Sequence, residues 1–194
     1  MKQTEINEIL RKHKLWLDDD DCGERANMRL ADMRYANLES ANLKCANLER
    51  ANLRFANLRF VNLLGANLEG AIMEGADLEV ADLKNARLKR ANLEGAKLAG
   101  ANLVCANLER ANLRDADIDY SAWPLWCGSL NAHVDDRIAI QLLYHALSVV
   151  QHSPYVSEEI KRALLTPEVV KVANRFHRVD ECGELSVHDQ EVSE

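Results

Sequence analysis

The sequence predicts an all-β solenoid core with helical flanks, on three observations. Nineteen five-residue units run without a gap from Ala26 to Tyr120. The first slot is Ala in every unit but the one beginning at Val61, and the third is Leu, Met or Ile throughout. A period of five also fits neither regular structure. On an α-helix five residues advance by about 500°, so successive Leu residues step round the axis and form no stripe. In a straight strand five is odd, so Leu alternates between faces. The pattern holds only if the chain turns a corner in each unit, which winds it into a narrow parallel coil with a dry Leu/Ala interior. Leu38, Leu58, Leu78 and Leu98 belong to that interior.

The elements follow in chain order. Ile6, Ile9, Leu10, His13, Trp16 and Leu17 recur at helical spacing, so residues 4 to 17 form a helix with Thr4 as its N-cap. The acid run Asp18 to Asp21 and Gly23 end it, and residues 1–25 are the N-terminal capping helix and linker. The coil occupies 26–125, about 19 to 20 units, with Trp123 in the inward slot of a degraded twentieth. Asn or Asp fills the second slot in all units except those of Ile72, Arg87 and Lys97. Such side chains bond nearby main-chain groups and suit a backbone rich in corners. Residues 126–184 form an α-helical C-terminal cap. One helix runs from a cap near Asp135 to about Val150, with Ala139, Leu142, Leu143, Ala146, Leu147 and Val150 on one face. Ser157 caps a short second helix, and Thr166 with Pro167 opens a third that carries Val169, Val170, Ala173 and Phe176. The acidic tail 185–194 reads as disordered.

The number of units per turn is tested by charge, since stacked residues are cross-strand neighbours. Among fourth-slot residues four units apart, seven charged pairs are opposite and three alike, Arg29/Glu49 and Glu39/Arg59 among the opposite ones. At three units the tally is six to four, and at five it reverses to three against seven. Five per turn is disfavoured, and four is ahead of three by one pair. The A(N/D)LXX run resembles the pentapeptide-repeat family. That resemblance implies a right-handed quadrilateral parallel β-helix of four repeats per coil, hence nearly five coils and about 23 Å of solenoid at about 4.8 Å per coil.

Composition narrows the function. The chain has 194 residues and a formal net charge of −7. Without a basic excess, no direct nucleic-acid binding is expected. No run of about 18 apolar residues exists to span a bilayer, so no membrane association is expected. The start MKQTEINEIL is polar and lacks a signal core, which predicts a cytoplasmic protein. Five cysteines at irregular spacings read as free thiols in a reducing compartment.

No Walker loop, paired-carboxylate site, Ser–His arrangement or zincin motif occurs, so neither enzyme activity nor a cofactor is predicted. Cys127, His133, His177 and Cys182 are the one candidate metal set, with spacings looser than a zinc knuckle; ordinary packed or surface roles are preferred. Two outward features are candidate partner surfaces. Lys84, Arg87, Lys89 and Arg90 ring one edge, above acids expected to neutralise them as stacked pairs such as Glu69/Lys89 and Asp77/Lys97. Tyr35, Phe55 and Phe60 occupy corner slots, as a partner strip or the seat of a flanking helix. The predicted function is a non-catalytic scaffold for an unidentified protein partner, with self-association through the C-terminal cap as an option. The resemblance brings an alternative, since some family members mimic DNA and bind type II topoisomerases such as gyrase. Residues 26–120 carry 13 basic and 13 acidic side chains, a poor match to a duplex. A metal-binding or enzymatic role of the C-terminal helices is the second alternative.

Overall fold

A computed structural model describes residues 1–119, 121–122, 132–175 and 184–186, in two compact units, Met1–Val134 and Asp135–Glu194. In the first unit every backbone bridge is parallel, and from Asn27↔Asn47 to Asn102↔Ala122 each joins residues twenty apart. Four repeats therefore make one coil, which decides between the three- and four-unit tallies. Strand-type pairing is confined to one bridge residue per face, with a further bond between coils at the corner, as from Tyr35 N–H to the Arg54 carbonyl at 3.0 Å. The short strand segments expected from the sequence are thus reduced to single bridges. The reason is the corner that follows two residues later. Around Asn57 the pattern is complete: its N–H donates to the Ala36 carbonyl below at 2.9 Å, and its carbonyl accepts from Leu38 N–H at 2.8 Å. After the repeats end, the Asn112↔His133 bridge spans 21 residues and carries the unit past residue 125.

Each corner is a four-residue turn. Ala81 N–H, for example, donates to the Leu78 carbonyl at 3.0 Å, with Glu79 and Val80 between them. The fifth slot is left-handed at all 18 positions from Leu30 to Asp115, with φ between 54° and 68°. A negative φ followed by a positive one is the pattern of a type II turn. Left-handed backbone costs an L-residue about 1–2 kcal/mol, and second-slot side chains help to hold it there. Asn57 Oδ1 accepts from Arg59 N–H at 3.2 Å, and the same bond recurs in most units. It is missing among described residues at Ile72, Arg87 and Lys97, whose side chains offer no such acceptor. First- and third-slot side chains fill the interior. Leu38, Leu58, Leu78 and Leu98 stack there, each at most 1% exposed. Trp123 lies outside the described residues.

Helix α1, Gln3–Leu17, closes part of the first coil. Thr4 lies inside it and is not the N-cap. The cap position is Lys2, whose N–H donates to the Glu5 carboxylate at 3.0 Å, so the terminus is held by a first-turn acid bonding back to the cap and not by a cap hydroxyl bonding forward. Of the predicted apolar stripe only Ile6 and His13 are fully buried, and Trp16 stays 36% exposed. The Gln3 carboxamide accepts from Asn37 N–H at 3.1 Å and donates to the Asn37 carbonyl at 2.9 Å. Those are the two bonds a lower coil would have made, so a side chain stands in for a peptide.

His13 ties the same helix to the coil. Its Nδ1 accepts from Ala26 N–H at 3.1 Å, and its ring stacks on Trp16 at 5.4 Å. Nε2 makes no well-formed hydrogen bond. Burial pushes the imidazole below its ordinary pKa, the Lys44 carbonyl opposes that shift, and Arg25 adds to it. The folded ring is therefore neutral where the unfolded one, titrating near about 6.5, gains a proton. This contribution to stability is present above that pH and is lost as the pH falls through it. We expect the melting temperature to drop between pH 7.5 and pH 5. His13→Asn, whose Oδ1 can accept the same bond but cannot titrate, should flatten the drop. An equal drop in both proteins would assign the acid sensitivity elsewhere.

The second unit contains α2 (Asp136–His152), α3 (Glu158–Leu164) and α4 (Pro167–Ala173). Their caps are Asp135, Ser157 and Thr166, each accepting from the N–H three residues on. The α2 core face is shifted from the expected one. Tyr144 and Leu147 are buried, with Ile140, Leu143 and Val150 packed against them, whereas Ala139 and Ala146 are exposed. The large aromatic ring sets the helix rotation, because it has more surface to bury than two alanines. Leu185, expected to open a disordered tail, is 4% exposed in this core. The Asn174 carboxamide clamps both its N–H and its carbonyl at 3.0 Å. Phe176, Cys182 and residues 187–194 lie outside the described set.

Candidate interaction surface

Twenty-residue register turns the outward slots into columns, so a residue's face follows from its number. Units beginning at 36, 56, 76, 96 and 116 share one face of the solenoid. Its first edge is the corner column Tyr35, Phe55, Gly75, Gly95, and its second is Ser40, Phe60, Val80, Gly100. Tyr35 and Phe55 stack at 5.5 Å with planes 15° apart. The Phe55 ring lies over Gly75, where an added Cβ would sit 2.5 Å from it. Across the face, Arg59 sits over the Phe60 ring at 5.5 Å. Tyr35, Phe55, Phe60 and Val80 are 73%, 50%, 49% and 54% exposed. Among the described residues, four of the six large apolar side chains exposed on the coils thus border one face; Leu30 and Val104 are the others. Tyr35, Phe55 and Phe60 are therefore not covered by α1.

Charge is sorted by face as well. The aromatic-edged face carries Glu39, Asp77, Glu79, Asp117 and Asp119 against Arg59 and Lys97, a net of −3. The opposite face, with units at 26, 46, 66, 86 and 106, carries six basic residues against Glu49, Glu69 and Glu109, a net of +3. Counting along the chain hides this, because successive units belong to different faces. The rod is neutral in total and polar across its width.

The basic edge predicted from the sequence lies on and beside the positive face. Arg87 pairs with Glu69 at 3.0 Å, and Lys89 with Glu109 at 2.8 Å, a bond that holds the Glu109 carboxyl below its ordinary pKa. The expected Glu69/Lys89 pair is therefore replaced: Glu69 is taken by Arg87 within its own face, and Lys89 reaches up. Asp77/Lys97 forms as expected at 3.6 Å. Lys84 and Arg90 are exposed, without an ion pair among the described residues. Of the four metal candidates only His133 is described, with an exposed side chain and a backbone paired to Asn112. Cys127, His177 and Cys182 lie outside the described residues. Sequence reasoning missed the left-handed fifth slot. Gly65, Gly70, Gly75, Gly95 and Gly100, all in that slot, were the available signal.

The family model for pentapeptide repeats matches in eight copies, over residues 31–68, 46–85, 62–98 and 91–121. The chain belongs to the pentapeptide-repeat family. Its twenty-residue register is the four-sided coil of that family. Solved pentapeptide-repeat structures similar to it include Rfr23 from the cyanobacterium Cyanothece 51142, 31% identical over 56% of this chain and 64% of that one, with a TM-score of 0.33. HetL from Nostoc sp. strain PCC 7120, a protein involved in heterocyst differentiation regulation, is 28% identical over 57% of this chain and 65% of its own, with a TM-score of 0.25. QnrB1, a plasmid-mediated fluoroquinolone resistance protein, is 18% identical over 65% of this chain and 72% of its own, with a TM-score of 0.36. The chain spans less than two thirds of Rfr23 and of HetL. At these TM-scores no function or partner transfers. Comparison with curated proteins gives no match. Among the described residues, no helix of this pentapeptide-repeat protein is long and apolar enough to cross a membrane.

Proposed function

We propose that the chain is a non-catalytic scaffold that holds exposed side chains in fixed columns for a protein partner. The observation that carries this is the aromatic-edged face, where four large apolar side chains stay about half exposed or more on a backbone that cannot fold over them. Burying one such ring against a partner contributes on the order of 1.5–3 kcal/mol, so a few suffice as anchors. The same proposal gives the coil the family's right-handed sense. It also places the protein in the cytoplasm, consistent with the free thiols of Cys22, Cys45 and Cys105. The test is affinity capture with the full chain and with a Tyr35→Gly/Phe55→Gly variant. A partner held by the first and lost by the second supports the reading; capture of the same partners by both would sink it.

The columns also weigh against DNA mimicry. A duplex carries one negative charge per about 1.7 Å, about 14 over a length of about 23 Å. The most acidic face here offers a net of −3 over five coils. We expect no inhibition of gyrase supercoiling at low micromolar protein. Potent inhibition that fades with salt would restore the mimic.

A further inference from the structure

We propose that the aromatic-edged face takes a cationic amphipathic helix of a partner protein, laid along the solenoid axis. This rests on the scaffold reading and names the partner's chemistry. Three observations lead to it. The face is bordered by Tyr35 and Phe55 on one corner and Phe60 and Val80 on the next, all well exposed. One face lies between these ridges, a width of about 10 Å for three extended residues, comparable to an α-helix with its side chains. Between the ridges stand Glu39, Asp77 and Glu79 with Arg59, a net of −2, and the whole face carries −3. Arg59 pairs with Glu79 at 2.9 Å and Lys97 with Asp77 at 3.6 Å.

Charge selects among the possible occupants. A nucleic acid or an anionic lipid surface meets like charge here, and so does a second copy of the same face. A segment with Lys or Arg between apolar residues meets complementary charge, while the net +3 of the opposite face steers it to this side. Spacing selects the conformation. A helix presents a turn every 5.4 Å, and the coils repeat every 4.8 Å or so. The two rows drift by only about 2 Å over three turns, so apolar side chains can follow the ridges while basic ones follow the acids. Arg59 lies over Phe60 with its guanidinium on Glu79 at 2.9 Å, so an incoming Lys or Arg shares Glu79 with it and finds Glu39, which has no ion pair among the described residues, on the same face.

The test uses the full chain and a fluorescein-labelled helical peptide of about 14 residues, Leu and Lys in amphipathic order, with a twin carrying Glu in place of Lys. Fluorescence anisotropy should show the Lys peptide binding at least about tenfold more tightly than its twin. Phe55→Gly and Glu79→Lys should each weaken it about fivefold or more. The glycine keeps the corner intact, because φ at Phe55 is 56° and Gly75 and Gly95 hold the same corner at 63°; an unchanged melt confirms it. Asp21→Lys, the same charge change on the N-terminal acid run, should leave affinity within about twofold. Equal binding of the two peptides, or equal losses in Glu79→Lys and Asp21→Lys, overturns the proposal. If Phe55→Gly moves neither peptide yet releases the captured cellular partner, the cationic assignment falls and the scaffold stands. If that partner also stays bound, both fall.

Discussion

Leu78→Asp is expected to lower stability by about 4 kcal/mol or more. Leu78 is wholly buried in the middle of the column. The substitution removes its apolar contacts and leaves a carboxyl group where no water can reach it. Each coil is also the floor of the next, so the loss is shared by every coil stacked on it. One slot further on, Glu79→Ala removes only an ion pair with Arg59 at 2.9 Å, on partly exposed side chains, and should cost less than about 1 kcal/mol. Denaturant titration of both variants separates the two slots. Coincident curves would show that the inward and outward sides have been exchanged.

Removing α1 has the second large effect. Without residues 1–23 the first coil loses the cover of Ile6 and His13, and Asn37 loses both bonds to Gln3. What remains is an apolar end rimmed by unpaired backbone groups, a template for another copy. The shortened chain should aggregate or stack end to end, while the intact one elutes as a discrete species in size-exclusion chromatography. A soluble, discrete truncation would show that the helix serves something other than end protection.

The coil was legible because burial wrote itself into the sequence at every fifth residue. Leu58 and Leu78 could be placed inside from the pattern alone. The register was nearly legible, since charge tallies put four units just ahead of three. The ion pairs themselves were harder to foresee, because a long side chain such as Arg87 can reach within its face as easily as along a column. Thr4 and Leu185 show the limit at the flanks. A cap or a docked strand depends on one competing side chain, Glu5 in one place and Asn174 in the other, and neither leaves a periodic trace. The candidate surface was half legible. Tyr35, Phe55 and Phe60 stood out as aromatics in corner slots, but the sorting of charge onto opposite faces emerges only after the chain is wound.

Winding also sets the grammar of insertion and deletion in this protein. Loss of twenty residues shortens the rod by one storey and returns every later side chain to its own column. Loss of five leaves the interior code intact, because Ala still follows corner and Leu still follows Asn. Yet everything downstream is turned by a quarter, so Val80 moves to the edge above Tyr35 and Phe55, and Asp77 and Glu79 leave the face of Glu39. A core that forgives such an event thus conceals a complete rewriting of the surface. Descent by duplication of single pentapeptides would preserve the fold while scrambling what it displays, and only steps of a whole coil would keep both.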